Sequence, residues 1–287
     1  RGVCCSTGVA LVEVYMVTSN QRPVPFSNSL YVNSSQANVL DMDEILGNDL
    51  DPDGDLLVVL EFTDPTVGTL VMNDMDELVF TGPIGYFGES VFSYTVTDGE
   101  YESVPATVAL QVAPANAAVW VGGASGTFSD PANWRGGEAP GANDPVWIGR
   151  QGETTITVNQ DATVASVRAG ATGANVTLTV SSGRTLTAAG GIEIRPGSTL
   201  DINNGTIATN QDVLIHGRLE WDSGEMNGNA ATIIAVGATA EIASGQNRLT
   251  GNRRFINRGM LTQSGGAYFY SSGGSNSTVT NAETGTW

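Results

Sequence analysis

The sequence predicts an all-β protein: an antiparallel β-sandwich followed by a right-handed parallel β-helix, or β-solenoid. Three observations carry this reading. Residues 151–287 repeat an apolar-x-apolar triplet at a near-constant period. Residues 20–114 form a string of short alternating segments between Asn, Asp, Gly and Pro turns. No stretch carries a 3.6-residue apolar stripe, while Gly, Thr, Asn and Val abound.

The repeat organises the chain. Its triplets are Ile156/Val158, Leu178/Val180, Leu200/Ile202, Leu219/Trp221 and Ala240/Ile242, followed by the leader Leu261. The leaders are separated by 22, 22, 19, 21 and 21 residues, and a step of 26 reaches Trp287. Five residues after each leader stands a turn residue: Asp161 first, then Gly183, Gly205, Gly224, Gly245 and Gly266. Alternation over a few positions gives a strand with one buried face, and glycine supplies the corner. A period of about 20 residues lets successive turns stack in parallel, about 4.8 Å apart, around a continuous core. A second wall is read from Ile192/Ile194, Val213/Ile215, Ile234/Val236 and Phe255.

In each triplet the middle residue points outward. This stacks Thr157, Thr179, Asp201, Glu220, Glu241 and Thr262 in one ladder, with Arg218 the basic residue close to it. Cleavage of a glycan by acid and base needs two carboxylates beside the sugar. A carbohydrate-binding or carbohydrate-cleaving β-helix is therefore an alternative reading, with Glu220 and Glu241 as its test positions. His216 is the single histidine and reads as an exposed corner residue.

Composition narrows the function classes. The formal net charge is −18, the sequence pI is near 4.1 and there are 12 basic residues. Such a surface repels phosphate backbones and anionic lipid, so neither nucleic acid nor membrane is an expected partner. No run is apolar enough to span a bilayer. Low charge density with abundant Gly, Thr, Ser, Asn and Val suits an extended extracellular β-protein. The start at "RGVCC" and the stop at Trp287, one residue into a new turn, read as cuts in something longer. Cys4 and Cys5 are adjacent; a strained vicinal bridge, free thiols and partners outside the chain all stay open. "GVALVEVYMV", Gly8 to Val17, alternates as one strand, so residues 1–19 read as the terminal strand of a preceding domain plus a linker.

Within residues 20–114 lies "ILGNDLDPDGDLL". Asp49, Asp51, Asp53 and Asp55 alternate along a segment bent by Pro52 and Gly54. Four carboxylates this close repel unless a cation intervenes, and Ca²⁺ accepts six to eight oxygens in forgiving geometry. An EF-hand is excluded, because Leu60 stands where its closing glutamate would be and the flanks are strands. The alternative is a solvated acidic turn. Asp98 and Glu100 in "VTDGE" are further candidate ligands.

"ILGNDLDPDGDLL", "GTLVM", "LVFTGPIGYFGESVFSYTVTDG" and "ATVALQV", in that order, resemble the bacterial cadherin-like or Ig-like tandem domains of large surface and secreted proteins, over about residues 22–113. The resemblance implies an Ig-like sandwich, Ca²⁺ at the acidic loop, and service as a spacer or adhesive module. Met75-Asp76-Glu77 departs from it where such domains usually carry a glycine turn, and Phe80 where Tyr is common.

Residues 115–150 hold Trp120, Trp134 and Trp147 among Gly and Pro. They read as a cap over the first turn of the solenoid, with a sugar-stacking platform as the rival. The phrase "DPANWRGGEAP" resembles the segment that precedes β-helix regions in bacterial autotransporter-like and surface-repeat proteins. "AYFYSSGGSNS" reads as a contact loop for a subunit or glycan, or as rings filling the core.

The function expected is that of a non-enzymatic extracellular structural or adhesive protein, a fragment of a bacterial cell-surface or secreted protein. Its partners would be neighbouring domains, other copies of the same assembly, or glycans. An alternative is a filament or sheath subunit, assembled by edge pairing through Gly8 to Val17 or the turn at Trp287.

Overall fold

The computed structural model describes residues 19–34, 36–83, 86, 88–113, 116–150, 152–171, 173–243, 245–271 and 276–287. Cys4, Cys5 and the expected strand from Gly8 to Val17 lie outside the described residues, as do residues 272–275 of the aromatic loop.

The first unit contains β1 (Asn28–Asn33), β2 (Ala37–Val39), α1 (Met42–Leu46), β3 (Val58–Phe62), β4 (Thr69–Met72), β5 (Leu78–Thr81), β6 (Gly88–Thr97) and β7 (Ala106–Ala113). One sheet has the order β1-β7-β6-β3 and faces a smaller one, β2-β5-β4. Alternate residues from both fill the core: Leu30, Val32, Phe92, Tyr94, Val96, Val108, Leu110 and Val112 from the larger sheet, Leu70, Leu78 and Phe80 from the smaller. The antiparallel expectation fails at one pair, since β1 runs parallel to β7. These two strands stand at opposite ends of the domain, so the rest of the sandwich is the connection and no tight turn constrains their direction.

The β4–β5 turn explains the missing glycine. Asp76 itself takes the left-handed conformation, φ 58°. The side chain of Asn73 secures it by accepting from the amides of Met75 and Glu77 at 2.9 Å each. An Asx-turn thus offsets the ~1–2 kcal/mol that a Cβ costs in this region.

The second unit is a parallel β-solenoid of about six turns. Ile156, Leu178, Leu200, Leu219, Ala240 and Leu261 pair in succession, so the leaders stack in one column, and the next inward column is Val158, Val180, Ile202, Trp221 and Ile242. The core they build is continuous from Ala118 to Ala267. The outward ladder is also in register, from Thr157 through Asp201, Glu220 and Glu241 to Thr262.

Two details of the repeat differ from expectation. In the second wall Val213 pairs with Thr232 and Ile215 with Ile234, so the inward pair of that turn is Thr232/Ile234, and Val236 is 71% exposed. A buried threonine occupies a core position there and hides the apolar pattern. At the corners Gly183, Gly224, Gly245 and Gly266 take positive φ, but in the third turn that conformation falls on Asn204, φ 54°. Gly205 is needed for space instead: a Cβ there would lie 2.6 Å from the Val180 carbonyl oxygen.

The tryptophans separate into two roles. Trp120 and Trp134 are buried, meet edge to face at 5.2 Å and join the solenoid core, with Phe128 5.0 Å from Trp134. They close the first turn and offer no open ring face for a sugar. Trp147 points out of the coil and packs with Val119 and with Ala113, the last residue of β7, beside Tyr31 and Ala117. Arg168 covers its ring at 4.7 Å, and Arg135 lies 5.7 Å from the Tyr31 ring. This cluster is the joint between sandwich and solenoid. No helix among the described residues is long and apolar enough to cross a membrane.

Candidate functional site

The acidic segment follows α1, whose start is capped by the Asp41 carboxylate accepting from the Asp43 amide. Beyond it the chain turns at Asp51 to Asp55. Asp51 Oδ1 accepts from the amides of Asp53 and Asp55 at 2.9 and 3.1 Å, and Gly54 takes φ 84°. This turn sorts the four aspartates. Asp49, Asp51 and Asp55, joined by Asp43, line one open pocket of about 640 Å³. Asp53 instead faces the chain entering the domain, where it accepts from the Gln21 amide at 2.7 Å and from Gln21 Nε2 at 3.2 Å.

Each carboxylate in the pocket has a distinct setting. Asp49 accepts from the Phe26 amide at 2.7 Å and from the Tyr94 hydroxyl, 3.0 Å from both its oxygens. Burial raises its pKa above the ordinary aspartate value, against the lowering effect of these two donors. The same burial, with the neighbouring Asp49 charge, pushes the Tyr94 phenol up. Asp51 is only 9% exposed, and its Oδ2 is buried without a partner. Asp55 is exposed.

Asp98 and Glu100 do not join this pocket. Asp98 Oδ1 accepts from the amides of Glu100 and Tyr101 at 2.7 Å each, and Asn20 Nδ2 donates to its Oδ2 at 3.1 Å. The Tyr101 amide is the main cause that holds this carboxyl below the usual aspartate range. The Glu100 side chain is exposed. Asn20 and Gln21 tie the entering chain to both acidic loops. Arg22 extends the tie by donating to the Glu102 carbonyl at 3.0 Å.

Among the described residues no group of three or more His, Cys, Asp or Glu is arranged to hold a metal ion. The donor chemistry of the pocket nonetheless suits a hard cation: it is all oxygen, and the orphaned Asp51 Oδ2 is a buried acceptor that lacks positive charge or a proton donor. Sequence reasoning missed Asp43, which the first turn of α1 places beside the loop. It also missed Asn20, for which no local signal exists.

On the solenoid ladder, Arg218 Nη2 bridges Glu220 at 2.9 Å and Glu241 at 2.6 Å. Thr179 donates to Asp201 at 3.0 Å. Burial raises the Asp201 pKa, with Thr179 opposing and Asp222 adding to it. The stacked carboxylates are thus relieved by one arginine and one hydroxyl.

Comparison with curated proteins and with solved structures finds no match. The family described as the Cadherin-like domain matches residues 19–113; the match does not extend into the solenoid and names no autotransporter or surface-protein family.

Proposed function

We propose that the chain is a non-enzymatic extracellular structural or adhesive protein, part of a larger bacterial surface or secreted protein, in which a cadherin-like module and a solenoid act as one stiff unit. The observation that supports this most directly is the joint: Trp147 and Val119 on the solenoid bury against Ala113 at the end of the sandwich. Such a contact resists bending between the modules, as a spacer or stalk requires.

Within this reading Ca²⁺ occupies the acidic pocket, held by Asp51 with Asp49 and Asp55. When bound it supplies the positive charge that buried Asp51 Oδ2 lacks. The protein's own residues supply the frame: Tyr94 and the Phe26 amide orient Asp49, and the Asp51 turn fixes its carboxylate. Chelation should lower the melting temperature of the chain, and Asp51→Asn should remove the difference while keeping the Oδ1 acceptor. Equal melting with and without Ca²⁺ would retire the metal site.

A carbohydrate-cleaving β-helix is the second reading, favoured by Arg218 standing between two exposed carboxylates on one sheet face. Assays on uronic-acid and neutral polysaccharides, with Glu220→Gln and Glu241→Gln beside the parent chain, separate the two. Glycans left intact by the parent chain would rule catalysis out.

A further inference from the structure

Charge is divided unevenly along the chain. Residues 19–113 hold 16 of the 30 acidic residues and a single basic one, Arg22, whereas residues 116–287 hold 10 of the 12 basic residues, all arginine. Against this background two outward β-surfaces match each other.

The first is the outer face of the β2-β5-β4 sheet. Val39, Val79 and Val71 pair across it in one row, and Ala37, Thr81 and Thr69 form the next. Val39 and Val71 are 58% and 54% exposed, and neither row contains a charge. Carboxylates lie around it instead: Asp74 and Asp76 in the β4–β5 turn, and Asp41, Asp43 and Glu44 just beyond β2. An uncharged face in so acidic a domain is the mark of a surface kept for contact.

The second is an outward column on the solenoid. It runs Val119, Trp147, Arg168, Glu193, Leu214, Ile233 and Ile256 over successive turns. The chain's own sandwich covers Val119 and Trp147, and Arg168 pairs with Glu193 at 3.4 Å. Leu214, Ile233 and Ile256, half-buried, continue the same column beyond the Arg168–Glu193 pair. Arg254 shares the outer face of the strand Arg254–Asn257 with Ile256. The ladder continues one residue past each strand at Arg195 and Arg258, two residues beyond Glu193 and Ile256. None of these three arginines has a carboxylate partner among the described residues.

We propose that the valine face of one copy docks on the Leu214–Ile233–Ile256 column of a second copy, head to tail, with Asp74 and Asp76 meeting the arginines around the column. Both surfaces are three residues long at the cross-strand spacing of about 4.8 Å, so their side chains interleave as facing sheets do, about 10 Å apart. The two patches differ, so each contact is heterologous and leaves one of each kind free at the ends of the assembly. The contact therefore propagates. It is small and flanked by charge, which makes it concentration-dependent and weakened by salt. A monomeric stalk could still present an adhesive face, so failure of this inference would leave the structural reading standing.

Sedimentation of the 287-residue chain at low salt, across micromolar to submillimolar concentration, tests it. The parent chain should grow beyond dimers, and added salt should reverse the growth. Val71→Glu and Ile233→Glu, both on outward faces, should each be monomeric with unchanged circular dichroism. Their equimolar mixture should give one-to-one dimers and nothing larger, because each variant keeps the patch that the other has lost. A parent chain monomeric throughout, a single variant that still assembles, or a mixture that stays monomeric or polymerises would each overturn the proposal.

Discussion

Arg253 donates through Nη1 to the carbonyl of Thr209, two turns away along the solenoid, at 2.9 Å. Its Nε donates to the Thr232 hydroxyl at 3.0 Å and Nη2 to the Ala231 carbonyl at 3.0 Å, in the turn between. This guanidinium is fully buried, and burial lowers its pKa to about 10 against the opposing charge of Asp212. It remains a cation at neutral pH and is satisfied by backbone carbonyls and the Thr232 hydroxyl rather than by a carboxylate. Three turns are pinned by one side chain.

Arg253→Met should therefore cost more than its change in volume suggests, because it leaves the Thr209 and Ala231 carbonyls without a donor. A loss on the order of 3 kcal/mol is expected in urea unfolding. Arg253→Lys should recover little of it, since a single ammonium cannot reach acceptors in two different turns. Parent-like stability of the methionine variant would show that the pin is ornamental.

Asp49 makes the sandwich sensitive to acid in an unusual direction. Because its folded pKa is raised, the folded chain holds that proton more tightly than the unfolded one. Its contribution is complete below the ordinary aspartate value of about 4 and fades as pH rises through the raised value. Asp98 behaves oppositely: its pKa is lowered, so its contribution is present above the ordinary value and is lost as pH falls through the lowered one. Without Ca²⁺, the Asp49→Asn chain should lose part of the rise in melting temperature that the parent shows on acidification from pH 7 to about 4. Identical pH profiles for the two chains would remove Asp49 from the account.

Trp147 is the test of the joint. Trp147→Ala removes the ring that packs against Val119 and Ala113, at a cost of roughly 3 kcal/mol. If the modules are coupled there, calorimetry of the full chain should show one transition separating into two. An undivided transition at a lower temperature would mean that Trp147 supports the solenoid alone.

The first turn depends on Trp134, whose Nε1 donates to the Phe128 carbonyl at 2.8 Å beneath Trp120. Trp134→Ala should destabilise the solenoid by about 3–5 kcal/mol and open the first turn to hydrogen exchange. Protection unchanged around Ile156 and Val158 would contradict its place as the lid.

What was legible in the sequence follows from what repeats. Leu178, Leu200, Leu219 and Leu261 announced their column because each turn needs an apolar residue at the same step. Thr232 broke the pattern by filling a core place with a hydroxyl that donates to Met226 Sδ at 3.1 Å, and so Val236 was read in its stead. Arg253, beside Arg254, resembles any solvated charge; only the carbonyls of distant turns reveal its burial. The aspartates were visible as a cluster, but their division was not. It is set by a turn at Pro52 to Gly54 and by Gln21, a residue more than thirty positions away, which draws Asp53 aside.

The parallel ladders have a mechanical meaning. Their hydrogen bonds point along the axis on which the turns are piled, so a pull at the far end would load them lengthwise, one rung after another. Peeling of that kind takes little force per rung. The stretch clamped by the buried guanidinium would be where the unravelling stalls.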